Sequence, residues 1–196
     1  NELKMIPSEI VKGVYREHIS NYGEPSKSWR FDNPPSGETK SLPSFIDVLV
    51  WPPENNIDMT TFATIGMSEK PMSGVNYRAE LHFAVEGKLD EDTINKITIF
   101  LANLCMYPFK NSTFFDWWHI LPNSGNIPGF PSASSLLLHP AFVKGGWELI
   151  TTEFGQVKIL NVIPITKFEY NFSKEKGVNQ LLDYLDDNKI SYFAPR

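Results

Sequence analysis

The sequence predicts an α+β fold, with a mixed, largely antiparallel sheet and helices packed on it. Amphipathic helical segments and short runs of β-branched and aromatic residues both occur along the chain. Their order is helix, strands, helix, strands, helix, which differs from the strict alternation of a parallel α/β sheet. The chain has 196 residues, of which 41% are hydrophobic. This length and composition suit a single domain over residues 1–196.

The N-terminal part predicts one helix and one long loop. Ile10, Val11 and Val14 lie on one face of a helix over residues 8–22. Residues 23–44 contain four prolines, two glycines and several serines. We therefore expect a long Pro/Gly/Ser-rich loop between this helix and the first strand.

Three strands are expected after this loop, and the third has the clearest pattern. The predicted strands are residues 45–51, 60–65 and 77–85. In the third strand, apolar residues occupy every second position, and Arg78, Glu80 and His82 lie between them. This alternation predicts one buried face and one solvated face, with Arg78 and Glu80 paired on the solvated side.

The second half of the chain predicts two further helices and three further strands. Acidic residues precede an apolar helical stripe that Pro108 is expected to end. Residues 97–147 contain only three charged residues but ten aromatic ones. The predicted elements are a helix at 91–107, strands at 116–121, 134–139 and 157–163, and a helix at 178–187.

Composition excludes several classes of function. The net charge is −5, and no run of lysine or arginine occurs, so binding to nucleic acid or to a membrane surface is disfavoured. No apolar run is long enough to span a bilayer. The N-terminus has no apolar stretch of signal-peptide length, and Cys105 is the single cysteine. We therefore expect a cytoplasmic protein with Cys105 buried in a helix.

No motif for catalysis or cofactor binding is present. The sequence has neither a glycine-rich phosphate loop nor the Gly-x-Ser-x-Gly pattern of serine hydrolases. His82, His119 and His139 have no partner at the spacing that preassembles a metal site on a helix. We expect no catalytic residue, no cofactor and no metal ligand.

The segment around Asp116-Trp117-Trp118-His119 is the best candidate for a binding surface. In a strand, Trp117 and His119 would face one side and Asp116 and Trp118 the other, so one indole would be in the core and one exposed. An exposed tryptophan in a charge-poor segment is typical of an interface. The candidate partner-binding residues are Phe115, Asp116, Trp117, Trp118, His119, Glu80 and His82.

Seven short blocks in order resemble the Suppressor of fused domain family, in the single-domain form found in bacteria. They run from about residue 60 to the end of the chain. The blocks are Phe62-Ala-Thr-Ile-Gly-Met-Ser68, Arg78-Ala-Glu-Leu81, Leu104-Cys-Met-Tyr-Pro108, Trp118-His-Ile-Leu-Pro-Asn123, Val157-Lys-Ile-Leu160, Ile163-Pro-Ile-Thr166 with Glu169, and Ala194-Pro-Arg196.

This resemblance implies a mixed α/β, sandwich-like domain with no known enzymatic activity. Animal members of the family are two-domain inhibitors that bind an extended peptide of a transcription factor as an added strand. This chain is too short for the second domain, and it has Trp117-Trp118 where animal members carry a small and an acidic residue. No peptide-binding residue is therefore carried over. Bacterial members are commonly proposed to be immunity proteins that neutralise a toxin by binding it.

Two classes of function follow from the sequence, and the oligomeric state stays open. The first is a non-catalytic domain that binds a protein partner, such as a toxin encoded nearby. The second is an enzyme with a site built from Asp116, His119, Glu80 or His82. A small-molecule sensor is a further alternative, and it requires an apolar pocket lined by residues 114–118 and 130–142.

Overall fold

A computed structural model describes residues 6–33, 37–54, 58–141 and 146–196. In these ranges the chain forms four α-helices and eight strands of one sheet. The helices are α1 (Glu9–Tyr22), α2 (Glu91–Lys110), α3 (Lys167–Lys176) and α4 (Val178–Asp187). The strands are β1 (Lys27–Asp32), β2 (Phe45–Trp51), β3 (Met59–Ile65), β4 (Arg78–Glu86), β5 (Ile120–Leu121), β6 (Ala133–His139), β7 (Leu149–Thr152) and β8 (Gly155–Thr166).

The sheet has the order β1-β2-β3-β4-β8-β6-β5, and β7 pairs with the N-terminal part of β8. All the strand pairs are antiparallel except β4 and β8, which run parallel. This arrangement confirms the predicted fold class, an α+β protein with a mixed, largely antiparallel sheet.

Helices cover both faces of the sheet. Ile46, Val48 and Val50 of β2 belong to the larger core cluster, which α2 completes through residues such as Leu101. The alternate β2 residues, among them Leu49, belong to a second cluster with Val14 of α1. Because successive residues of a strand face opposite sides, α1 and α2 lie on opposite faces. A third cluster packs β6 and β8 beneath α3 and α4.

Several predicted elements are confirmed, and their boundaries move little. Helix α1 and strand β2 agree with the prediction to within a residue. Strands β3 and β6, and helix α4, agree to within a residue or two. Cys105 is buried in α2, as expected. Helix α2 continues through Pro108 to Lys110, so the expected end of the helix at Pro108 is wrong and the proline lies inside its last turn.

Other predicted secondary-structure elements are wrong, mostly in segments where polar residues hide the pattern of a strand or helix. Residues 23–44 are not one loop, since they include β1, in which Trp29 and Phe31 alternate with polar residues at the sheet edge. The predicted strand at 116–121 is reduced to Ile120–Leu121. Strand β7 and helix α3 were not predicted, although Thr166 and Glu169 form a capping box at the start of α3.

The predicted solvated face of the third strand is buried. Glu80 has no exposed surface, and His82 is 4% exposed. Arg78 donates to the carbonyl oxygens of Ser68 and Glu69, so the expected Arg78–Glu80 pair is also incorrect. Polar residues occur on this face because it binds a buried turn and the inner face of α1 instead of water.

Glu80 accepts five hydrogen bonds from the end of β3 and the segment that follows it. The donors are the backbone N–H groups of Gly66, Met67 and Ser68 and the hydroxyls of Thr64 and Ser68, at 2.9–3.2 Å. Burial raises the pKa of Glu80 to about 7, although these donors favour the carboxylate. Gly66 has a φ of +127°, and a Cβ there would lie 2.2 Å from the carbonyl oxygen of Phe45, so only glycine fits.

Helix α1 is joined to the sheet by a pair of buried histidines. The Nε2 atoms of His18 and His82 are 2.7 Å apart, and Nδ1 of His18 lies 2.8 Å from the carbonyl oxygen of Val14. Because a carbonyl oxygen can only accept, His18 carries its proton on Nδ1, and His82 donates from Nε2 to His18. Nδ1 of His82 is then an acceptor, and the Tyr22 hydroxyl lies 3.5 Å from it. Both imidazoles are neutral in this arrangement.

We expect Glu80→Gln to lower the free energy of unfolding at pH 7 by about 2 kcal/mol, because the new amide N–H₂ would face backbone N–H groups, which cannot accept a hydrogen bond. The pH dependence should change as well. The folded carboxyl keeps its proton up to about pH 7, whereas the carboxyl of the unfolded chain loses its proton near pH 4.5. As the pH rises from 4.5 to 7, the free energy of unfolding of the wild type therefore decreases by about 3 kcal/mol because of this group.

Urea denaturation across this pH range measures the effect. Glu80→Gln should lose that part of the slope, and the control Glu17→Gln, on the exposed side of α1, should keep it. An unchanged slope in Glu80→Gln would contradict the assignment.

The histidine pair predicts a slope of opposite sign. Burial lowers the pKa of His18 to about 4, and burial together with His18 lowers that of His82 well below 6.5. As the pH falls below 6.5, the unfolded chain takes up two protons that the folded protein does not. Stability then decreases by up to about 1.4 kcal/mol per pH unit for each imidazole.

The double variant His18→Leu/His82→Leu should lose this acid sensitivity and remain folded at pH 7, since both polar partners are removed together. His119→Gln serves as the control, because His119 lies outside the pair. If the stability of the double variant fell with decreasing pH as steeply as that of the wild type, the folded histidine pair would already bind protons.

Candidate protein-interaction surface

Trp118 lies at the surface in an unusual backbone conformation. Its side chain is 44% exposed, and its φ is +72°, in the left-handed region that bulky residues rarely adopt. The Trp118 N–H donates to the carbonyl oxygen of Leu138 at 2.6 Å, and the Leu138 N–H donates to the carbonyl oxygen of His119 at 2.9 Å. These two bonds hold the turn before β5 against β6.

Trp117 points into the protein and anchors the same turn. Its indole N–H donates to the carbonyl oxygen of Ile159 at 2.8 Å. The Lys158 ammonium lies 4.6 Å from the Trp117 ring and 3.9 Å from the ring of Tyr77, and it pairs with Asp116 at 2.8 Å. Burial opposes ionisation of Asp116, but the bond from Lys158 helps to keep its pKa below the ordinary value.

Asp116 and His119 do not form an acid–base pair. The Asp116 carboxylate faces Lys158, and Nδ1 of His119 accepts a bond from the Asp116 backbone N–H at 3.2 Å. The His119 ring packs against Phe114, with centroids 5.4 Å apart. Phe115 is buried and accepts a bond from the Tyr77 hydroxyl through its carbonyl oxygen.

The seven candidate residues therefore separate into three places. Asp116, Trp117, Trp118 and His119 share one partly exposed turn, next to the buried Phe115. Glu80 binds the segment after β3, and His82 binds α1. The buried side chains of Phe115, Glu80 and His82 cannot contact a partner in this conformation. For the exposed residues, partner binding stays a prediction.

Two of the aromatic side chains expected to line the pocket of a small-molecule sensor are packed in the core instead. Phe115 and Phe130 are fully buried in the main cluster. A cavity of about 620 Å³ lies elsewhere, between α2 and the segment after β5, and its lining includes Leu104, Tyr107 and Pro122. In the described ranges, no three His, Cys, Asp or Glu side chains are grouped to hold a metal ion.

A series of contacts through His139 and Tyr192 links Trp118 to α4, which the sequence did not indicate. The Trp118 and His139 rings lie 4.9 Å apart, and the His139 and Tyr192 rings 6.5 Å apart. The Tyr192 hydroxyl donates to Asp186 of α4 at 2.7 Å. Contacts between residues so far apart in the chain depend on the order of the strands, which has no local signal.

No α-helix in the described ranges is long and apolar enough to cross a membrane. No curated protein sequence matches the chain at a significant level. Solved structures do resemble it. A protein described as a SUFU homologue from Neisseria gonorrhoeae FA 1090 has a TM-score of 0.64 at 15% identity, over 93% of this chain and 91% of that one.

Two further solved structures have the same fold. A chain of the Sufu–Fu complex has a TM-score of 0.61 at 14% identity, over 90% of this chain and 82% of that one. Drosophila Suppressor of Fused has a TM-score of 0.62 at 14% identity, and this chain spans 45% of its length. The sequence model of the family described as Suppressor of fused protein (SUFU) matches residues 43–196. Since this match covers most of the chain, the protein belongs to the Suppressor of fused family.

Proposed function

We propose that this protein is a non-catalytic, cytoplasmic binding domain that neutralises a toxin by covering part of its surface. The observation that carries this proposal is Trp118, an exposed indole held in a left-handed backbone conformation. A bulky side chain in this region costs on the order of 1 kcal/mol or more, and glycine would avoid the cost. A contact with a partner gives a reason to keep tryptophan at this position.

The surroundings of Trp118 suit a pre-shaped binding surface. Its backbone is tied to Leu138, and the neighbouring Trp117 is fixed through Ile159 and Lys158. A rigid aromatic anchor loses little conformational freedom when a partner binds, which favours affinity. The exposed part of the Trp118 side chain is available to a partner.

The catalytic alternative has less support. Asp116 is neutralised by Lys158, and His119 is paired with a backbone N–H group, so neither is arranged as a general base. Glu80 and His82 are buried at separate sites. The proposal of an immunity protein is supported by the resemblance to bacterial family members, and a relative is found in the Sufu–Fu complex with another protein.

Co-expression with toxins encoded beside the gene tests the function. We expect one of them to be neutralised and to form a stable complex, burying about 1,600 Å² in total. If none of these toxins is bound or neutralised, the proposed function is wrong.

Two substitutions of Trp118 separate binding from stability. We expect Trp118→Ala and Trp118→Gly to weaken the complex by about 30-fold or more, equivalent to at least about 2 kcal/mol. Trp118→Gly should not lower the free energy of unfolding, because glycine adopts the left-handed conformation without strain. Calorimetric titration measures the affinity and urea denaturation the stability.

Phe154→Ala provides a matched control for these variants, since Phe154 is 57% exposed in the turn between β7 and β8. It should bind like the wild type. Wild-type affinity in Trp118→Ala would exclude Trp118 from the interface.

A further inference from the structure

A cavity of about 420 Å³ lies between α1 and the edge strand β1. Strand β1 is at one end of the strand order, and β5, which follows Trp118 in the chain, is at the other end. The cavity is therefore separate from the surface assigned to the protein partner, and a ligand bound in it would serve a second function. Its volume is within the range of sites that bind small molecules.

The floor of the cavity is apolar and belongs to the core. Val11 of α1, Phe45 of β2 and Ile65 of β3 line it, and all three are almost fully buried. Because these residues pack together in one cluster, the shape of the floor is set before any ligand binds. Such a floor suits the ring or alkyl part of an organic ligand.

Three basic residues and one acidic residue line the same cavity, in a protein whose net charge is −5. Lys12 and Arg16 belong to α1, whereas Arg30 and Asp47 occupy paired positions of β1 and β2. Three positive groups and one negative group give the lining a net charge of +2. A ligand with two negative charges would neutralise it, whereas a single carboxylate would neutralise only half of it.

Arg30 is held in position by the protein itself. Its Nε and Nη2 atoms each donate to the Asp47 carboxylate at 2.7 Å, and its guanidinium carbon lies 4.2 Å from the centre of the Phe45 ring. This pair does not involve the two N–H donors of Nη1. An arginine that is already oriented loses less conformational freedom when it binds an anion.

The two basic residues of α1 are not committed to strong contacts. They lie four residues apart, and like charges at this spacing slightly disfavour a helix. Lys12 pairs with Glu9 at 2.8 Å, but both side chains are partly exposed, and such pairs contribute little stability. In the described part of the chain, Arg16 forms no ion pair. An anion in the cavity would give these charges a partner.

We propose that this cavity binds a small organic phosphate monoester, with its phosphate between Arg30 and the basic side chains of α1 and its organic part on the apolar floor. A phosphate monoester carries a charge of about −1.5 to −2 at pH 7 and three acceptor oxygens. Guanidinium groups match phosphate oxygens in geometry, and lysine adds a point charge. Tyr15 and Ser28 line the same cavity, and each carries a hydroxyl group that can donate a further bond.

Phenyl phosphate is a suitable probe, because it combines a phosphate monoester with a ring. In NMR titrations of the full chain at neutral pH, we expect it to shift the backbone amides of residues 12–16 and 28–30 saturably. Inorganic phosphate, which lacks the ring, should need an about tenfold higher concentration for half-saturation. Benzoate, which has a single negative charge, should also bind more weakly, and phenol should leave these amides unchanged.

Two variants with opposite expected effects test the role of the charges. Lys12→Gln/Arg16→Gln should raise the half-saturation concentration of phenyl phosphate about tenfold, because it removes two of the three cations. Glu9→Gln should lower this concentration about twofold, because Lys12 loses a competing partner. A gain in affinity cannot result from loss of folding. Lys96→Gln/Lys174→Gln removes the same charge from exposed positions of α2 and α3, and this control should titrate like the wild type.

Equal shifts with phenol and phenyl phosphate would overturn the inference, because the cavity would then bind rings without regard to charge. Benzoate binding as tight as that of phenyl phosphate would also overturn it, as would phenyl phosphate shifts confined to other regions. The same half-saturation in the wild type and in Lys12→Gln/Arg16→Gln would exclude the basic residues of α1. These titrations need no toxin, so their outcome and that of the proposed function are decided separately.

Discussion

A single buried carboxyl group fixes the centre of the sheet. Glu80 is on β4, and it collects the backbone N–H groups of the turn that follows β3. Without this acceptor, three buried donors would have no partner, and each would destabilise the fold by roughly 1–3 kcal/mol. The turn can approach closely because Gly66 has no side chain to meet the backbone of Phe45. Glu80 and Gly66 therefore act as one unit.

This contact explains why the segments around Glu80 and Gly66 are among those that resemble the family. Residues 62–68 and 78–81 form two of the resembling blocks, and Glu80 joins them. The terminal block behaves similarly, because Arg196 pairs with Glu169 at 2.6 Å and donates to the carbonyl oxygen of Pro164. The residues of these blocks contact each other inside the fold. The blocks therefore identify the fold, whereas the partner must be inferred from exposed residues.

Alternating apolar residues predicted β4 and its core-facing side correctly, because this periodicity follows burial directly. The same reasoning misplaced Glu80 and His82, since a polar residue gives the same signal whether it faces water or a buried donor. The partial burial of Trp117 and the exposure of Trp118 follow from a left-handed turn instead of strand alternation. The ring contacts that run from Trp118 through His139 to Tyr192 join distant parts of the chain, which no local pattern encodes.

The parallel pairing of β4 with β8 has a consequence for how the protein is made. The strands from β1 to β4 each pair with the next one in the chain, whereas β4 reaches its other neighbour only after β8 has been synthesised. Closing so long a loop is slow compared with forming hairpins. During translation, the free edge of β4 is thus an open template for aggregation. Rapid release from the ribosome, or a chaperone covering this edge, would favour the native pairing.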